Sequence, residues 1–182
     1  NYTVTDKADG DRKLLFVSEN KGFIYLIDTN MNVQFTGAIT KENALFNSIL
    51  DGEHVPHDKK GLFINYYLVF DIYYINKKDL RSEPFYQEEK SDKEGKDSGS
   101  TDQRGRLVAL NKFMMHLKPV PIVGDTLPIK IKAKEFQYSD ETNKAIFKNC
   151  ALILNRVKDD LYEYETDGLI FTPANTGVGS NV

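Results

Sequence analysis

The chain is short of most features that give a protein away at a glance. A single cysteine, Cys150, excludes an internal disulfide. That suits a reducing, intracellular home, and Cys150 itself is expected as a small buried apolar side chain. No apolar run reaches the roughly 20 residues of a membrane helix. The longest, Leu62 to Ile75, is interrupted by Asp71. No signal or transit segment is visible, and a soluble protein of the nucleus or cytoplasm is expected. Neither sign of charge dominates: 24 Lys and Arg stand against 27 Asp and Glu, a net charge of −3. Bulk electrostatics therefore make no case for nucleic-acid binding, although a local basic groove stays open. His54, His57 and His116 have no cysteine or third clustered histidine to complete a zinc set. There is no phosphate loop of the G-x-x-x-x-G-K-S/T type and no distinguishing feature of a Ser-His-Asp hydrolase. From Gln87 to Gly105 aliphatic and aromatic side chains are missing altogether. Nothing there offsets the entropy of ordering, so residues 87–105 read as a mobile surface insertion.

What remains is ordinary for a globular domain: 182 residues, 40% hydrophobic and 28% charged, enough to fold round one core. Tyr2 to Val4, Lys13 to Ser18 and Phe23 to Ile27 read as strands of an antiparallel meander. The turns between them, Asp9-Gly10 and Asn20-Lys21-Gly22, carry residues that accept positive φ. Thr40 to Asn43 looks like a helix start. Asp51 to Val55 reads as a strand with an acidic side chain, and Gly61 to Ile75 as a buried strand. Arg106 to His116 has a helical apolar spacing. Leu127 to Phe136 alternates as a half-buried strand with Lys130, Lys132 and Lys134 on a basic outer face. Ser139 and Thr142 are candidate caps for a helix with Ile146, Cys150, Ile153, Leu154 and Val157 on its apolar side. Thr166 to Pro173 turns into an apolar strand, and the tail from Ala174 reads as loose.

Against this background one stretch stands out. Lys7-Ala8-Asp9-Gly10-Asp11-Arg12 places a lysine, a tight turn and an arginine between two strands. Leu50-Asp51-Gly52-Glu53, Tyr67-Leu68-Val69-Phe70-Asp71-Ile72 and Thr166-Asp167-Gly168-Leu169-Ile170-Phe171 follow in order, each on an expected strand. These four stretches resemble the first, third, base-stacking and fourth motifs of the covalent nucleotidyltransferases, the family of mRNA capping enzymes and of DNA and RNA ligases. The Asp-Gly-Leu-Ile-Phe-Thr-Pro run at 167–173 is similar to the capping guanylyltransferases, where ligases usually open this strand with Glu-Gly. Leu26-Ile27-Asp28 and the Lys134/Phe136 strand point the same way, toward the multidomain enzymes of large DNA viruses. A viral source would place the protein in a viral factory or virion.

The resemblance implies an α+β fold of antiparallel sheets with flanking helices, the ATP-grasp-like nucleotidyltransferase core. It implies that Lys7 attacks the α-phosphate of GTP and carries GMP as a phosphoramidate. GMP then passes to the 5′-diphosphate end of RNA. Lysine suits this role because its amine can be tuned down from a free pKa of about 10.4 by burial and nearby cations, as arginine cannot. Arg12 is expected at the ribose or a phosphate oxygen, Glu53 at the ribose, Phe70 against the purine, and Thr5 at a base edge. Asp167 and Glu53 are hard oxygen donors for Mg²⁺ or Mn²⁺, which offset charge on the reacting phosphates. Triphosphatase and methyltransferase activities, on the same or an associated chain, are the expected partners. The alternatives are an ATP-dependent polynucleotide ligase and a non-catalytic module that binds RNA or protein.

Two departures qualify the resemblance. Thr29 stands where capping enzymes commonly carry an arginine after Leu-Ile-Asp, with Lys21 the nearest substitute. The family's fifth motif, a lysine pair, does not precede Val182, and the family's C-terminal OB-fold domain is expected to be missing from this chain. With its start on a strand and without Met, the chain reads as a truncated catalytic domain with little or no activity alone.

Overall fold

A computed structural model describes residues 1–87, 104–138 and 146–179. Its strands are β1 (Tyr2–Ala8), β2 (Asp11–Val17), β3 (Phe23–Asp28), β4 (Val33–Ile39), β5 (Ser48–His57), β6 (Phe63–Ile75) and β7 (Lys78–Asp79). Helix α1 (Arg106–His116) and strands β8 (Val120–Pro121), β9 (Lys130–Ala133) and β10 (Gln137–Tyr138) follow, then helix α2 (Ile146–Lys158) and β11 (Thr166–Pro173). Both helices and most strands lie where the periodicity placed them. Two sheets result. A large one has the order β7-β6-β5-β2-β3-β4-β8 with β9 paired to β6, and a small one the order β10-β1-β11. The pairing is antiparallel except at β6–β9, which is parallel.

The large sheet has two unlike faces, set by strict alternation in β2, β3 and β5. Leu15, Val17, Ile24, Leu26 and Leu50 point to one side and are fully or almost fully buried. There they meet Leu110, Phe113 and Leu117 of α1, with Tyr67, Val69 and Ile72 from β6, in the main core. Burying each such side chain stabilises the fold by about 1.5–3 kcal/mol. The other face carries Arg12, Leu14 and Phe16 on β2 and Ile49, Asp51 and Glu53 on β5, in direct register. Over one end of it β1 crosses, with Ala8 packed against Val55, Tyr66 and Leu68.

That crossing corrects the expected meander: β1 does not pair with β2 but leaves the large sheet to become the centre of the small one. The reason lies at Asp9-Gly10. Gly10 is not among the residues with positive φ. It passes so close to β5 that a Cβ would lie 2.6 Å from the His54 carbonyl oxygen. A side chain would push β1 off the sheet. Gly52, in the middle of Asp51-Gly52-Glu53, is equally constrained, with a hypothetical Cβ 2.6 Å from the Tyr67 ring.

Four smaller expectations also change. The helix start at Thr40 yields only a 3-10 turn, Asn43–Leu45, without a side-chain cap. Lys134 is buried, not on the basic outer face with Lys130 and Lys132, because an acid inside the fold receives it. In α2, Asn149 and Ile153 are the buried side chains while Leu154 is half exposed. The tail is tied down as far as Val178: Ala174 is buried and exchanges backbone hydrogen bonds with Asn1 and Tyr86, and the Val178 N–H donates to the Arg81 carbonyl. The caps at Ser139 and Thr142 and most of the 87–105 insertion lie outside the described residues, although Gln87 and Arg104 at its ends pair in a β-bridge.

Candidate active site

Strand β1 presents Lys7 at the only irregularity in its pairing with β11, between Asp6 and Ala8. There its amine meets the carboxylate of Asp167, with Nζ 2.7 Å from Oδ1 and 2.6 Å from Oδ2. Both side chains are about half exposed. The hydrogen bond that Lys7 donates to Asp167 raises the lysine pKa above its ordinary value, with the charges of Asp167, Asp9 and Glu53 adding attraction. Sequence reasoning expected a depressed pKa from burial and cations; the neighbours found here are acids. In this arrangement the amine is held as an ammonium.

Arg12 leaves the neighbouring strand on the groove face. Its Nε and Nη2 donate to Asp51, Nη2 at 2.5 Å from Oδ2. Asp51 has no exposed surface, whereas the Arg12 side chain is 60% exposed. The Tyr73 hydroxyl donates to the same carboxylate and accepts from Arg12 Nη2 at 3.3 Å. Asp51 thus orients the guanidinium from below and leaves its outer edge to solvent. Its hydrogen bond and its charge hold the guanidinium pKa above the ordinary value. Glu53 is the Cα partner of Arg12 across the β2–β5 ladder. Its pKa is raised by burial, partly countered by Lys134 and Lys7.

Leu68 is the Cα partner of Glu53. Phe70, two residues on, therefore shares the groove face, and it is half-buried. It is the extra residue of a β-bulge: Asp51 pairs with Asp71 and Gly52 with Val69, leaving Phe70 between. Bulges re-aim a side chain locally, and this one frees the ring from the ladder. Thr5 is fully buried, and its hydroxyl donates to the Glu135 carbonyl at 2.7 Å. Lys7, Asp167, Glu53 and Arg12 thus come together where β1 crosses the large sheet, with Phe70 on the same sheet face and Thr5 buried.

Several participants have no site role assigned from the sequence. Asp51 and Tyr73 clamp Arg12 only through the β2–β5–β6 register, which the chain does not spell out. Lys134 is the second case. Its Nζ donates to the Asp6 carbonyl at 2.6 Å and to Asp6 Oδ2 at 2.7 Å. The Tyr164 hydroxyl adds a bond to the same carboxylate at 3.1 Å. Burial pushes the Lys134 pKa down, with Asp6 and Glu53 opposing. This buried pair pins the residue immediately before Lys7. A cavity of about 420 Å³, lined by Asp6, Lys134, Tyr66, Arg156, Tyr162 and Tyr164 among others, opens on the Asp6 side of β1.

The family model of the mRNA capping enzyme catalytic domain matches residues 1–181. The chain belongs to that family. A probable mRNA-capping enzyme of Acanthamoeba polyphaga mimivirus is 38% identical over 85 residues, 47% of this chain and 7% of that protein. The chain therefore spans a small part of that relative. Among solved structures, mycobacterial DNA ligase D complexed with ATP and MES aligns with a TM-score of 0.53 at 13% identity, covering 97% of this chain and 49% of that one. The ligase domain of LigD from M. tuberculosis aligns at 0.55 and 12% identity, covering 97% and 48%. These likenesses establish a shared fold, rich in strands with few helices. Among the described residues no helix is long and apolar enough to cross a membrane.

Proposed function

We propose that this domain is an mRNA guanylyltransferase that forms a Lys7–GMP phosphoramidate from GTP and passes GMP to 5′-diphosphate RNA. The observation that carries it is the juxtaposition of Lys7 with Asp167 at 2.6 Å, within electrostatic reach of Glu53, the cross-strand partner of Arg12. In the first step the Lys7 amine attacks the α-phosphorus. An N–P bond forms, the bond to the bridging oxygen breaks, and pyrophosphate leaves. In the second, a β-phosphate oxygen of the RNA attacks the same phosphorus, the N–P bond breaks, and the Lys7 nitrogen takes up a proton and departs as an amine.

The attack needs a free amine, so Lys7 must first separate from Asp167 and lose its proton. Arg12, oriented by Asp51, offers its outer edge to the ribose or a phosphate oxygen. In this reading Glu53 contacts the ribose and Phe70 stacks on the purine. Thr5, which donates inward, fits a base-edge role only if its hydroxyl turns. Asp167 and Glu53 are the hard oxygen donors of the groove, and two carboxylates plus substrate phosphates suit Mg²⁺ or Mn²⁺. Such an ion would offset phosphate charge and compete with the Lys7 ammonium for the Asp167 carboxylate.

The likeness to DNA ligases in fold supports a second reading, an ATP-dependent polynucleotide ligase. The test is covalent labelling of the natural full-length chain with radiolabelled GTP or ATP and a divalent ion. Label from GTP but not ATP supports guanylyl transfer. Label from ATP alone gives the ligase reading, and no label from either refutes both.

A further inference from the structure

The groove face of the large sheet does not end at the nucleotide residues. On β2 the alternation that presents Arg12 continues through Leu14 to Phe16, about 13 Å farther along at about 3.3 Å per residue. Phe16 is the Cα partner of Ile49 on one side and of Tyr25 on the other. Tyr25 pairs in turn with Phe35. Side chains directly opposite in a ladder share a face, so Ile49, Phe16, Tyr25 and Phe35 form a row across four strands. Phe23 joins it, its ring centroid 5.3 Å from Phe35 and 6.3 Å from Tyr25. The Tyr25 and Phe35 rings lie 5.5 Å apart.

This row is not core. The core is on the opposite face with α1, and β1 covers only the other end of this one, at Val55, Tyr66 and Leu68. Phe35 is 42% exposed, and Phe16, Tyr25 and Ile49 are half-buried. The candidate site thus sits on the boundary between a covered and an open part of one sheet face. At that boundary the exposed Arg12 supplies positive charge.

We propose that this aromatic row is the platform for the first nucleotides of the single-stranded RNA that accepts GMP. The inference rests on the guanylyltransferase reading. Three observations favour RNA over a protein partner. The row continues the face that bears Arg12 and Glu53, so a strand with its 5′ end at Lys7 can lie along it. Its members are mostly flat rings, which stack on any base without reading sequence. Arg12, charged and 60% exposed where the row meets the groove, complements a phosphate backbone. A sheet face bearing aromatic rings is a known way of holding unpaired bases.

The discriminating variant keeps the apolar area and removes the rings: Tyr25→Leu with Phe35→Leu. Binding of a fluorescent 5′-diphosphate RNA of about ten nucleotides is read by anisotropy, with a double-stranded RNA competitor. Base–aromatic stacking of about 1–3 kcal/mol per base converts to a loss of roughly 5- to 150-fold for each ring removed. The expected result is single-strand binding weakened at least tenfold by the double variant. Its salt dependence is unchanged, since no cation is lost, and so is GTP labelling of Lys7. Wild-type-like RNA affinity in the double variant overturns the proposal and assigns the face to a protein surface. Absence of single-strand binding by the wild type also overturns it. Loss of GTP labelling in the wild type itself would instead remove the guanylyltransferase reading, which the anisotropy measurement does not use.

Discussion

Replacing Lys134 by methionine should destabilise the domain by about 3–5 kcal/mol, the cost of leaving one member of a buried ion pair without its partner. The Lys134 side chain is 1% exposed and that of Asp6 4%. Without the ammonium, Asp6 loses the donor to its carbonyl and the principal donor to its carboxylate. Tyr164 still donates to the carboxylate, which favours the lower half of that range. Asp6→Leu should cost less, about 2–3 kcal/mol, because burial already lowers the Lys134 pKa and the orphaned amine can shed its proton. The double variant removes both charges and leaves the Tyr164 hydroxyl without its acceptor, at about 1–2 kcal/mol. The cycle then gives a coupling energy of about 3 kcal/mol or more. Urea denaturation monitored by circular dichroism measures all four proteins. In a domain of this size the Lys134→Met change should lower Tm by roughly 6–20 °C. Additive single effects, or a Lys134→Met variant within about 1 kcal/mol of wild type, would refute a buried pair that pins the strand carrying Lys7.

Asp167→Asn should lower the Lys7 pKa, since the carboxylate is the main influence raising it; NMR of the ¹³C-methylated amine reads this, and an unmoved titration would contradict the contact. Tyr73→Phe removes a donor to the buried Asp51 and should cost about 1.5–3 kcal/mol in urea denaturation; a cost near zero would show the hydroxyl idle. Burial lowers the His54 pKa below 6.5, so the unfolded chain binds the proton more readily. Stability should therefore fall as pH drops from about 6.5 toward the folded-state pKa, and His54→Gln should flatten that fall. An equal acid response in both proteins would rule the histidine out as its source.

Local patterns carried much of the fold. The 3.6-residue spacing marked α1 and α2, and the β-branched and aromatic runs marked β2, β3, β5, β6 and β11. Lys7, Glu53 and Asp167 lay within short stretches whose letters resemble a family pattern. What stayed hidden depends on pairing between distant strands. That β1 leaves the large sheet follows from Gly10 passing over His54, a contact between residues far apart in sequence. The bulge that frees Phe70 is a mismatch between β5 and β6, and neither strand announces it alone. Lys134 occupies an alternating position shared with two exposed lysines; only the facing Asp6 makes it a buried one. The direction of the Lys7 pKa shift is hidden for the same reason, because it is set by Asp167 across the β1–β11 ladder.

The central claim is that Lys7 is the covalent nucleophile. Full-length protein is incubated with GTP and a divalent ion, digested, and mapped by mass spectrometry for the nucleotidylated peptide, alongside Lys7→Ala. The account predicts one GMP adduct, acid-labile as a phosphoramidate, on the peptide containing Lys7, and none in the variant. An adduct on another residue, or one that persists in Lys7→Ala, would contradict it.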